Sequence, residues 1–110
     1  MQQPKNSPWG QVDQVTGYGD GVYFVSTPGH GGFMVAKSVH LSEAAKAEAD
    51  EFGAFLCFEE DCLAAIVVQE LNIQNKANTE DIKRSLCFWL PRYVKASGNE
   101  EWLKQFPTRE

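Results

Sequence analysis

The sequence predicts an α+β domain: a three-stranded antiparallel meander, with a fourth strand left open, followed by three to four helices packed on one face. Two features predict it. Seven of the nine glycines precede residue 33, where β-branched and aromatic runs also cluster, so the first third reads as strands and turns. Beyond residue 42 apolar side chains recur at spacings of three and four, the repeat of helices that bury one stripe. With 110 residues, 43% apolar and 12% aromatic, the chain is expected to form a single domain over residues 8–110 behind a flexible tail, residues 1–7.

Residues 12–16 alternate apolar and polar side chains, residues 21–26 (Gly-Val-Tyr-Phe-Val-Ser) give the strongest strand signal, and residues 32–36 give a third. The links between them, 17–20 and 27–31, are short enough for hairpins. Ser42 is placed as the N-cap of an alanine-rich helix over residues 43–52, which Gly53 ends. Residues 54–58 (Ala-Phe-Leu-Cys-Phe) form a continuous apolar run, either a fourth strand or a buried connection, and a short extended segment is preferred. Glu59, Glu60 and Asp61 supply acids where a second helix is expected to begin, as the helix dipole favours. Cys62, Leu63, Ile66, Val67 and Leu71 then give its buried stripe. Asn78 or Thr79 caps a third helix with Ile82, Leu86, Trp89 and Tyr93 on one face. Pro91 interrupts that face, and its missing N–H predicts a kink or break close to Leu90. Gly98 stops the element, and Asn99 caps a last short helix that turns Trp102, Leu103 and Phe106 inward before Pro107.

The net charge of −5 is unevenly spread. Residues 37–70 hold eight acidic and two basic groups, whereas residues 71–110 hold seven basic and five acidic. An acidic centre argues against direct nucleic-acid binding, which rests on cations neutralising phosphates. It suits a protein partner with a basic surface, and Glu43, Glu48, Glu59 and Glu60 are the candidate contacts. No apolar run approaches the roughly 18 residues of a membrane span, and the first residues are polar, so a cytoplasmic protein away from membranes is expected. Cys57, Cys62 and Cys87 are odd in number and sit among apolar neighbours, which suits reduced thiols. The oligomeric state is not encoded in these features.

The loop Pro28, Gly29, His30, Gly31 and Gly32 is the most unusual stretch. Its glycines could admit a close backbone approach or an anion nest, but a phosphate loop would add a Lys and lead into a helix, whereas this one leads into a strand. A hairpin turn needing positive φ, with His30 hydrogen-bonded inside it, is the simpler reading. A Cys62–His30 nucleophile is disfavoured, because the acids just before Cys62 oppose thiolate formation. Zinc would have to be drawn from Cys57, Cys62, Cys87, His30 and His40, which lack ligand spacing, so no metal or cofactor is expected. Lys83, Arg84, Arg92 and Lys95 read as a solvated helix face.

The segments Pro8-Trp9-Gly10, Val25-Ser26-Thr27-Pro28-Gly29-His30-Gly31-Gly32 and Phe58-Glu59-Glu60-Asp61-Cys62 together resemble a family of small domains of unknown function found in phage and plasmid proteins. The resemblance covers roughly residues 8–68; Gly29 departs from that family's serine, and Phe58 stands where Trp or Tyr is common. It implies that His30 meets residues 59–61 in space, as a charge-assisted lock between hairpin and helix or as a general acid/base pair. The reading that follows is a non-catalytic phage or mobile-element protein in the bacterial cytoplasm. In its specific form it is a counter-defence, anti-CRISPR-like inhibitor docking an acidic surface on a basic host nucleoprotein. The alternative is a small hydrolase or transferase using His30 with Glu59 or Asp61.

Overall fold

The computed structural model describes residues 2–73 and 79–109 and opens with two short antiparallel strands, β1 (Asn6–Ser7) and β2 (Gly10–Gln11). Ser7 is buried and its hydroxyl donates to the Gly10 carbonyl at 2.8 Å, so ordered structure starts within the segment expected to be a tail. The hairpins β3 (Gln14–Gly17), β4 (Val22–Ser26) and β5 (Gly31–Ala36) follow as an antiparallel meander.

Helix α1 (Glu43–Glu48) begins at Ser42, whose Oγ accepts from the Ala45 N–H at 3.1 Å. It ends four residues before the expected limit. Asp50–Phe52 instead forms strand β6, a hairpin partner of β7 (Phe55–Glu59). The two-residue link starts at Gly53, whose φ of 59° suits glycine, and pairing with the apolar β7 run outweighs the weak helix preference of Asp50 and Phe52. Strand β7 also pairs with β5, giving one five-stranded antiparallel sheet in the order β3-β4-β5-β7-β6. The run 54–58 is therefore a fourth strand, and β6 is a fifth.

Residues 59–61 do not open a helix. Glu59 closes β7, Glu60 and Asp61 lie in a turn, and α2 (Ala64–Leu71) starts after them with no acid in its first turn. Thr79 caps α3 (Glu80–Trp89), its Oγ1 accepting from the Ile82 N–H at 3.3 Å; the alternative cap Asn78 lies outside the described residues. The chain breaks at Leu90 (φ −132°, ψ 53°), and Pro91 opens α4 (Pro91–Ala96) from the first helical position, where no N–H is needed. A 3₁₀ segment (Glu100–Lys104) completes the chain, with Trp102 and Leu103 half-buried and Phe106 buried. Asn99 makes no side-chain cap there. Among the described residues no helix is long and apolar enough to cross a membrane.

Pleating sorts the sheet into two faces. Phe24, Phe33 and Phe58 stand in register across β4, β5 and β7 on the face that packs against the helices with Ile66, Val67, Leu86 and Tyr93. Tyr23, Met34 and Cys57 occupy the opposite face, capped by Trp9 and Val12 from the N-terminal segment. Without that segment this second apolar layer would meet water.

Three groups in the interior link stability to alkaline pH, one of them the Cys87 thiol, which burial raises. Burial, helped by the charge of Asp50 in register opposite, pushes the Cys57 thiol from 9.0 up to about 12. Burial, then the hydrogen bond and charge of Glu70, raises the Tyr93 hydroxyl as well. All three hold their protons more tightly when folded, so stability is complete below pH 9 and falls as pH rises toward 12, by up to about 1.4 kcal/mol per pH unit per group. Thermal melts in reductant between pH 8 and 11 are expected to show this decline, with a shallower slope for Cys57→Ala. An unchanged slope in that variant would remove Cys57 as the cause.

Candidate functional site

The most distinctive local structure lies where the β4–β5 hairpin meets the end of β7. Pro28 presets φ for the turn, and Thr27 closes it: its N–H donates to the His30 carbonyl at 2.8 Å, and its Oγ1 accepts from the His30 N–H at 3.1 Å. The Thr27 hydroxyl has the His30 carbonyl at 2.7 Å and the Trp9 carbonyl at 3.3 Å. Its single proton serves the nearer or is shared, so one side chain ties the turn to the N-terminal segment.

No glycine of this turn has a positive φ, contrary to the expectation from sequence. Crowding requires two of them instead. A Cβ at Gly31 would sit 2.6 Å from the Val25 carbonyl oxygen; at Gly32 it would sit 2.3 Å from that of Phe58 and 2.7 Å from the Trp9 ring. Gly29 has nothing within 4 Å, so the serine that the resembling family carries there would fit.

His30 and Glu59 do meet, with Nδ1 3.6 Å from Oε1 and both side chains substantially exposed. That distance exceeds a hydrogen bond, and an exposed pair of this kind contributes at most about 1 kcal/mol, with His30 protonated. The lock expected from the resemblance is instead made by backbone, through β5–β7 pairing and the Glu60 N–H donating to the Gly31 carbonyl at 2.9 Å. Glu60 folds back over Gly31, with Oε2 3.3 Å from where a Cβ would stand. Asp61 is exposed in the turn, with no ion pair to His30 among the described residues.

The other chemistry-bearing residues are dispersed. Cys57 and Cys87 are buried, and burial raises both thiols, which makes them poor nucleophiles. Cys62 is half-buried against the helical core, and none of the three is in a disulfide. Among the described residues no group of three His, Cys, Asp or Glu side chains could hold a metal ion.

Three of the eight acids of residues 37–70, Glu43, Glu48 and Glu51, are paired with a lysine or arginine. Glu48, whose side chain is only 9% exposed, accepts from Arg92 Nε at 3.0 Å and Nη2 at 2.7 Å, which corrects its placement on an exposed contact surface. Glu43 pairs with Lys46 at 3.1 Å and Glu51 with Lys37 at 3.3 Å. Glu70 accepts from the Ser42 N–H, the Ser42 hydroxyl and the Tyr93 hydroxyl at 2.9, 2.8 and 2.7 Å. Among the described residues Asp50, Glu60 and Asp61 have no basic side chain within 4 Å, and Glu60 and Asp61 lie together in the turn after β7, next to Glu59.

Sequence reasoning missed Glu70 and the Glu48–Arg92 pair. Glu70 carried a readable signal, since it falls four residues after Ile66 and three after Val67, on the buried stripe of α2. The Glu48–Arg92 pair spans 44 residues and carried none. Residues 2–108 match the model of DUF7007, a domain of unknown function, so the match runs through the C-terminal third that the motif resemblance left out. No curated protein and no solved structure matches the chain.

Proposed function

Because the chain belongs to the DUF7007 family of domains of unknown function, we propose its role from the geometry: it binds a basic protein surface through its acidic end and does not act by catalysis. The observation that carries this reading is the turn after β7, where Glu60 and Asp61 are exposed and, among the described residues, have no basic side chain within 4 Å, while Glu59 has His30. The closed hairpin and the Glu60 N–H on the Gly31 carbonyl fix the backbone that carries these side chains, which limits the backbone entropy lost on docking. Glu59 and Glu60 therefore remain partner contacts, Asp61 joins them, Glu48 leaves the set because its side chain is buried under Arg92, and Glu43 stays an exposed contact offset by Lys46.

In its fuller form the proposal makes this a phage or mobile-element protein of the bacterial cytoplasm. There it would inhibit a host nucleoprotein in the manner of an anti-CRISPR by covering basic residues that otherwise bind nucleic acid. Support for this form comes from the motifs around Trp9, His30 and Asp61 and from the net charge of −5. The catalytic alternative, a hydrolase or transferase, has one geometric support, the His30–Glu59 approach at 3.6 Å.

A pull-down from bacterial lysate with the tagged chain is expected to recover a basic protein or nucleoprotein. Glu60→Lys with Asp61→Lys should weaken capture at least about tenfold, and salt should do the same, as for any contact dominated by exposed charge. His30→Ala should leave capture intact. No recovered partner, or capture indifferent to both the reversals and salt, would sink the proposal. An activity lost in His30→Ala with melting temperature unchanged would replace it with catalysis.

A further inference from the structure

We propose a second binding site, of opposite charge and independent of the acidic end: a groove around Trp89 that takes an acidic peptide segment anchored by an apolar side chain. Trp89 was expected on the inward face of α3 with Leu86 and Tyr93, but the chain breaks one residue later and Leu90 takes the buried position. The indole is left 43% exposed, between two depressions of about 720 Å³ and 360 Å³ that both use it as a wall.

The larger depression is lined by Trp89, Leu90, Pro91, Arg92, Lys95 and Arg109, with Glu48 at its edge. Glu48 is consumed by Arg92, which spends the Nε and Nη2 donors on it while its side chain stays 81% exposed. The guanidinium is thereby held in place with further N–H groups turned outward. Lys95 lies three residues along the same short helix and so shares its face. Arg109 stands 5.5 Å from the Trp89 ring centre, its segment tied to α3 by its N–H on the Phe88 carbonyl at 3.2 Å. The smaller depression adds Phe88, Pro107 and Ser85, with Arg84 balanced by Asp81, so it is apolar rather than basic.

Charge complementarity identifies the occupant. Arg92, Lys95 and Arg109 against Glu48 leave the larger depression with an excess of two positive charges, carried by Lys95 and Arg109 because Arg92 is paired with Glu48. A basic depression on one side of the exposed indole and an apolar one with Phe88 and Pro107 on the other call for an extended ligand carrying carboxylates at one end and an apolar anchor at the other. Trp and Arg are the residues that most often dominate such contacts.

The test uses the full chain and a displayed library of random twelve-residue peptides, with the selected consensus then synthesised and titrated. Expected are sequences rich in Asp and Glu with at least one Leu, Phe or Trp, whose affinity drops at least tenfold in Trp89→Ala and in the Lys95→Glu, Arg109→Glu double variant. These three side chains are exposed, so the variants keep the fold, which melting curves verify. Basic consensus sequences, or binding indifferent to these changes, overturn the proposal. So does a poly-thymidine oligonucleotide that displaces the peptide at lower concentration, or a self-association in sedimentation that Trp89→Ala dissolves, because each assigns the groove a different occupant.

Discussion

Replacing Gly32 by alanine is expected to destabilise the fold by at least about 3 kcal/mol, a fall in melting temperature of about 12 °C or more for a domain of this size. A methyl group there would lie 2.3 Å from the Phe58 carbonyl oxygen, 2.7 Å from the Trp9 ring and 2.9 Å from the Glu59 Cα. Two of these three neighbours are backbone of the paired strand, so no rotamer change relieves the overlap, and β5 and β7 must separate where they hold the candidate site. Trp9→Ala should therefore not rescue the variant. Gly29→Ala is the matched control: it has open space and no positive φ, and should stay within about 0.5 kcal/mol of the parent. Urea unfolding of the three variants decides the matter, and a Gly32→Ala protein as stable as the parent would show that the strand pairing does not exclude a side chain.

Glu70→Ala is expected to cost about 3 kcal/mol, which is large for a single half-buried carboxylate. The carboxylate joins three elements. Its Oε1 accepts from the Ser42 N–H, and its Oε2 accepts from the Ser42 hydroxyl, which itself receives the Ala45 N–H at the start of α1, and from the Tyr93 hydroxyl in α4. Truncation leaves the buried Tyr93 hydroxyl without its acceptor and removes the support of the α1 cap at the same moment. Tyr93→Phe alone should cost about 1 kcal/mol, and adding it to Glu70→Ala should cost less again, because the orphaned donor has gone. A double-mutant cycle reads that coupling, and strict additivity would mean that the two groups do not stabilise each other.

How much of this was legible in the chain depended on the range of the forces involved. The meander, the Ser42 and Thr79 caps and the break at Leu90 were readable because each follows from residues within a turn or two: alternation, a side-chain oxygen beside a free N–H, a proline without one. The far end of α1 was misread because helix propensity over residues 49–52 is weak, and pairing of β6 with β7 overrode it. The start of α2 was misplaced for a related reason. Three acids suit a helix N-terminus, but the first of them, Glu59, completes the pairing with Gly32 of β5, which pushed the helix on to Ala64.

By itself the sequence determined the α+β class, most element positions, the unusual hairpin around His30 and the acidic excess of the middle segment. These are properties of composition and of neighbours along the chain. Only the tertiary structure decided which charges are exposed. Glu48, Glu43 and Glu51 pair with Arg92, Lys46 and Lys37, and Glu70 is bound by Ser42 and Tyr93, so among the described residues the exposed acids of the segment without a basic partner are Asp50, Glu60 and Asp61. It also decided why Gly31 and Gly32 must be glycine, since the atoms that exclude a Cβ come from Val25, Phe58 and Trp9. Electrostatic compensation and steric exclusion act through space between residues far apart in the chain, and a linear pattern does not record which of them become neighbours.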